Sequence, residues 1–149
     1  MIHHLSIPAR DTRHVADVVA ELFEGVVTRF DPYPGSWIAW AGDEQGTAIE
    51  VYPVGTEMYA PGGPGGAAFR HVPAASGATA THATVSLDRS EAEILAIAGR
   101  EGWRALRLSR GPFEVIELWI ENTVLLELMT PDMAHAYCSS TPRNTSPGR

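Results

Sequence analysis

Two histidines and two glutamates stand out by type and spacing. His4 and His82 lie 78 residues apart, and Glu50 and Glu127 lie 77 apart. Each sits in an alternating segment whose other face is apolar. Leu5 and Ile7 flank His4, Ile49 and Val51 flank Glu50, Ala83, Val85 and Leu87 follow His82, and Leu126 and Leu128 flank Glu127. Neighbouring strand residues point to opposite faces. The four side chains therefore share the face turned away from the apolar one, together with Ser6, Tyr52, Thr84, Ser86 and Met129. One buried histidine is most simply a hydrogen-bonded core residue; four residues at matched positions read as ligands. Two imidazoles and two carboxylates suit a divalent metal such as zinc, nickel, cobalt, manganese or iron. Four protein ligands in an octahedral field leave two positions for water or substrate. A structural zinc site would more often recruit thiolates, and the one cysteine, Cys138, is not on these segments.

The same parity places further residues. In 103–108, Leu106 and Leu108 are assigned to the helix side, which points Arg107 into the cavity. In 113–121, Ile116, Leu118 and Ile120 take the helix side, leaving Val115, Glu117 and Trp119 inward. Trp37 joins them if Ile38 and Trp40 face the helices. Arg107 could hold a substrate carboxylate or phosphate, although an ion pair with Glu117 explains it more simply. Trp119, Trp37 and Tyr52 could stack on a substrate.

These residues need strands and helices to position them, and the pattern supplies both twice. A strand at 2–8 is followed by a helix with Asp11 as its N-cap and Val15, Val18, Val19, Leu22 and Phe23 on one face. Gly25 ends it, and strands follow at 26–30, 36–41 and 46–54. The second pass has a strand at 81–87 and a helix whose Ser90 and Glu93 have capping-box spacing. Gly102 closes that helix, and strands follow at 103–108, 113–121 and 124–129. The expected fold is therefore α+β: two βαβββ modules, their curved mixed sheets around a metal-binding cavity, with helices on the outer face. Residues 1–131 form one domain, with modules at 1–54 and 80–131. The Gly/Pro-rich stretch 55–79 reads as a loop, and 132–149 as a partly loose extension.

Composition narrows the partners. The 149 residues carry a formal charge of −7, which disfavours nucleic acid and acidic membranes. No apolar run reaches the roughly 18 residues of a membrane span, and the first residues lack the pattern of a secretory signal. A single cysteine fits a reducing, cytoplasmic setting. A small molecule is the expected partner.

Four segments, in order, resemble the vicinal oxygen chelate superfamily, which includes glyoxalases, bleomycin-resistance proteins and extradiol dioxygenases. They are His4-Leu5-Ser6-Ile7-Pro8-Ala9-Arg10-Asp11, Gly46-Thr47-Ala48-Ile49-Glu50-Val51-Tyr52-Pro53, His82-Ala83-Thr84-Val85-Ser86-Leu87-Asp88 and Leu125-Leu126-Glu127-Leu128-Met129-Thr130-Pro131. The resemblance spans about residues 1–131. It implies metal ligands at His4, Glu50, His82 and Glu127, and this His-Glu-His-Glu set is similar to that of glyoxalase I. The implied function is a divalent-metal-dependent isomerase or lyase. Nickel, zinc, cobalt or manganese would stabilise an enediolate or enolate of a small carbonyl, thioester or thiohemiacetal substrate, with Glu127 or Glu50 as the base. A ring-cleaving dioxygenase on Fe(II), and a non-catalytic protein that holds a drug or metabolite, are the alternatives. The resemblance also implies a homodimer in which the two halves of the site could come from different subunits.

Overall fold

The computed structural model describes residues 2–59, 68–75 and 82–140. The Gly/Pro run at 60–66 and the tail at 141–149 lie outside the described residues. The first module is β1 (His4–Ala9), α1 (Thr12–Phe23), β2 (Val26–Arg29), β3 (Trp37–Trp40) and β4 (Ala48–Pro53). A hairpin follows, β5 (Thr56–Tyr59) and β6 (Ala68–His71). The second module is β7 (Ala83–Ser86), α2 (Glu91–Glu101), β8 (Ala105–Ser109), β9 (Glu114–Ile120) and β10 (Val124–Met129), and α3 (Pro131–Ser140) closes the chain. The α+β expectation holds: the two four-stranded sheets have the orders β1-β4-β3-β2 and β7-β10-β9-β8. In each, the first strand pairs in parallel with the last and the other pairs are antiparallel. Both sheets are mixed, and β1 and β7 are edge strands at equivalent places.

The amphipathic pattern explains the layers. Val15, Val18, Val19 and Leu22 of α1 are buried against Ala39, Ile49 and Val51, and Ile94 and Ile97 of α2 join Ile116, Leu118 and Leu128 in the same core. The Asp11 side chain caps α1 at the His14 N–H, 3.0 Å away. Ser90 and Glu93 close a reciprocal capping box on α2. The α1 terminus differs from expectation. Its left-handed residue is Glu24, at φ 56°, rather than Gly25. Gly25 is needed for another reason: a Cβ there would stand 1.7 Å from the Trp40 carbonyl oxygen.

The helix layers join the modules. Arg100 of α2 grips both oxygens of Glu21 on α1, at 3.0 and 2.7 Å. His14 meets Glu101 at 2.6 Å, and Arg89 donates to the Glu21 and Leu22 carbonyls at the α1 C-terminus, where the helix dipole favours a cation. At the other end, Glu121 of the β9–β10 turn accepts from the Arg10 and Asp11 N–H groups at 2.7 and 2.9 Å. That carboxylate is mostly buried and is the main tie between that turn and the start of α1. Glu121→Ala should cost about 1–3 kcal/mol of unfolding free energy, the range for orphaning charge-assisted bonds. A urea midpoint that does not fall would show that water replaces the carboxylate without loss.

The stretch expected to be a loop contains the β5–β6 hairpin. Gly55, at φ 90°, opens it, and a Cβ there would meet the Val72 carbonyl oxygen at 2.6 Å. The terminal region expected to be loose begins with α3, whose Met133 enters the core and whose Tyr137 packs edge-on against Phe113, 4.9 Å between ring centroids. No helix among the described residues is long and apolar enough to cross a membrane.

Candidate metal centre

Strand register assigns the faces, because directly opposed residues lie on the same side of a sheet. Ser6 opposes Glu50 and Glu50 opposes Ile38 in the first module. Thr84 opposes Glu127 and Glu127 opposes Glu117 in the second. Glu50 and Glu127 thus occupy equivalent positions, each on the second strand from the β1 or β7 edge and on the side away from its helix. Their exposures are 7% and 8%. His4 and His82 enter from the edge-strand sides.

In the first half-site the Ser6 hydroxyl donates to Glu50 Oε2 at 2.7 Å, and the Tyr52 phenol reaches the same oxygen at 3.4 Å. His4 Nε2 stands 3.6 Å from Glu50 Oε1. One nitrogen and one oxygen donor therefore converge with Oε1 open. Burial, and then the Glu50 charge, push the Tyr52 phenol up to about 12, so it stays a proton donor at neutral pH. The hairpin covers this face. Phe69 stacks on Tyr52 with 5.7 Å between ring centroids, and Phe30 and Tyr33 complete an aromatic cluster.

The second half-site repeats the frame with different chemistry. Thr84 donates to Glu127 Oε2 at 2.9 Å, as Ser6 does to Glu50. Glu127 Oε1 is taken by Arg110, whose Nε and Nη2 approach at 2.9 and 2.7 Å. The same Nη2 reaches Glu117 Oε1 at 2.5 Å. Glu117 Oε2 accepts from the Trp119 indole N–H at 3.1 Å and from Arg104 at 3.3 Å. Arg110 foremost, aided by Trp119 and Arg104, holds the Glu117 carboxyl below the usual carboxylate range against the opposing effect of burial. Leu106 lies on this same face and is 44% exposed.

Two sequence expectations are corrected. Arg107 opposes Ile116, on the helix side, and pairs with Glu91 at the start of α2 and with Glu114. It faces away from Glu127, and its ion-pair partner is not Glu117. Trp37 opposes Val51 and lies under Arg13 of α1, 4.4 Å from guanidinium carbon to ring centroid. Ile38 and Trp40, not Trp37, take the site side. Both errors came from strands with apolar residues at both parities. Glu117, Trp119 and Tyr52 are on the expected side. Arg110 was missed because it stands in the β8–β9 turn, where alternation assigns no face. Its signal in the sequence is only an arginine within reach of two same-face glutamates.

Within one chain the halves do not close on a single ion. Among the described residues no three His, Cys, Asp or Glu side chains are placed to hold one metal. A cavity of about 640 Å³ between the β1 and β7 sides is lined by both His4 and His82, but by neither Glu50 nor Glu127. The donor types fit a divalent metal: in the first half His4 and Glu50 converge, whereas in the second His82 precedes β7 at the place equivalent to His4, and Glu127 meets Thr84 and Arg110.

No protein-family model matches the sequence, and no curated protein does. Solved structures match across nearly the whole chain. The fosfomycin resistance protein FosX from Listeria monocytogenes, complexed with Mn(II) and sulfate, aligns at TM-score 0.59 and 10% identity, over 95% of this chain and 97% of that one. FosX from Mesorhizobium loti aligns at TM-score 0.54 and 12% identity, over 92% and 96%. The chain has the vicinal oxygen chelate fold. A possible glyoxalase from Bacillus cereus, at TM-score 0.51 and 12% identity over 87% and 97%, is similar in the same way.

Proposed function

We propose that the protein is a divalent-metal-dependent isomerase or lyase of the glyoxalase type, with a site assembled from two copies. The observation that carries this reading is the equivalence of the half-sites. His4 with Glu50, and His82 with Glu127, occupy matched places on sheets that, among the described residues, each end in an edge strand, β1 and β7. Setting β1 of one copy beside β7 of another brings His4 and Glu50 to His82 and Glu127 of the partner subunit. Two-fold pairing makes two such sites. A bound divalent ion would act as a Lewis acid toward substrate oxygens.

The protein's own groups divide the remaining work. Ser6 and Tyr52 fix Glu50 through one oxygen; the other, next to His4, would be shared with or released from the ion to take a proton from substrate carbon. Glu127 is held by Thr84 through one oxygen and would present the other to the ion, as a ligand rather than as the base. The aromatic cluster around Tyr52 excludes water from one wall. The substrate class is a small carbonyl, thioester or thiohemiacetal with an acidic C–H. A fosfomycin-modifying reaction is a second reading, supported by the two similar resistance proteins that align along the chain.

The first experiment is metal titration of purified wild type beside His4→Ala and His82→Ala. One ion per chain should bind to wild type, with a loss of at least tenfold in affinity in each variant. The loaded protein is then assayed with thiohemiacetals, acyl-CoA epimers and fosfomycin. No metal uptake by wild type under any loading condition would end the catalytic reading.

A further inference from the structure

The two half-sites share a frame but differ at one position. Where the first module has Ile38 beside its glutamate, the second has Glu117 beside Glu127. Arg110 spans that pair, with two bonds to Glu127 Oε1 and one to Glu117. It therefore occupies the oxygen that a metal would need, and it brings a positive charge of its own. We infer that Arg110 competes with the metal for Glu127, and that Glu117 is the place the guanidinium keeps when the metal takes over. The inference rests on the metal reading above.

The electrostatics run one way. A cation 2.7 Å from Glu127 neutralises the charge that attracts the ion, and a guanidinium close to a bound dication is repelled by it. Glu117 lowers the cost of the exchange. It accepts Arg110 independently of Glu127, and its other oxygen is already anchored by Trp119 and Arg104. Arg110 can release one carboxylate without losing the other. Thr84 continues to hold Glu127 Oε2, so the ligand does not depend on Arg110 for its position. The network thus tunes metal affinity downward and keeps a buried glutamate paired in the metal-free chain. Among the described residues module 1 has no such competitor: Glu50 is approached by Ser6, Tyr52 and His4.

Mn(II) binding, read from the loss of the free-ion paramagnetic resonance signal, tests this on the full chain. Arg110→Met should bind Mn(II) about tenfold or more tightly than wild type, the scale of effects from residues that touch metal ligands. Arg110→Lys keeps the charge but not the forked geometry and should lie between the two, which preserves the test if the methionine variant fails to fold. Glu117→Gln removes the alternative seat and should weaken binding. Arg107→Met is the control: it removes an arginine of the same module that faces the helix side and pairs with Glu91 and Glu114, and should stay close to wild type. Equal or weaker binding by Arg110→Met, or an Arg107→Met shift as large as that of Arg110→Met, overturns the competition while leaving the metal reading intact. Absence of Mn(II) binding by wild type and all variants overturns both.

Discussion

Mixing two inactive variants should restore metal binding and activity. One carries His4→Ala and Glu50→Ala, the other His82→Ala and Glu127→Ala. Each alone has no complete ligand set. If every site takes one half from each subunit, a mixed pair contains one site built from the two intact halves and one built from the two damaged halves. Random exchange of subunits makes about half of the pairs mixed, so about a quarter of wild-type sites should return. The measurement is metal content and turnover after joint refolding or co-expression, against each variant alone. The contrast is close to all-or-none. A site contained within one chain would give no recovery at any mixing ratio, and that result would discard the assembly proposed from the β1 and β7 edges.

Glu50→Gln should lower kcat by about 10² to 10⁴, the usual worth of a positioned proton acceptor. Metal binding should fall far less, because an amide oxygen can still ligate and the Ser6 hydroxyl can turn to accept from the new NH2. Glu127→Gln should show the reverse balance. Its carboxylate charge would hold the metal in place of Arg110, so metal affinity falls first and activity follows it. The distinction comes from geometry. Among the described residues Glu50 Oε1 meets His4 alone, at 3.6 Å, whereas both Glu127 oxygens are engaged by Arg110 and Thr84. Turnover by metal-loaded Glu50→Gln within a few-fold of wild type would move the base elsewhere. The same preparation separates the two steps, since metal content and rate are read on one sample.

Much of this frame was legible in the chain because each sheet turns an apolar face to its helix and keeps its polar and ionisable side chains on the other. Alternation then fixes which residues go where. That is why Ser6, Glu50, Tyr52, Thr84 and Glu127 could be placed together from parity alone. Duplication strengthened the reading, since Asp11 and Ser90 mark the two helix starts and Glu50 and Glu127 recur at one spacing. The failures share a cause. Trp37-Ile38-Ala39-Trp40 and Ala105-Leu106-Arg107-Leu108 carry apolar side chains at both parities, so their register is decided by partners distant in sequence. Arg13 covers Trp37, and Glu91 with Glu114 draws Arg107 to the helix side. The hairpin was hidden because its ladder depends on closing a Gly/Pro stretch whose composition signals only a turn. Arg110 was hidden because a turn residue has no periodicity to betray its direction.

The seam between α1 and α2 has a geometric consequence far from the carboxylates. A contact that joins β1 of one copy to β7 of the next is head-to-tail. Such a contact closes into a ring of two only when the two edges of a chain are turned half a revolution apart; otherwise copies add without end. The angle between those edges is set where the modules meet, by Arg100 on Glu21, His14 on Glu101 and Arg89 on the last carbonyls of α1. These half-exposed surface pairs contribute little to folding energy one by one. In the proposed assembly their part would be closure, holding the angle at which two copies complete the ring instead of adding without end.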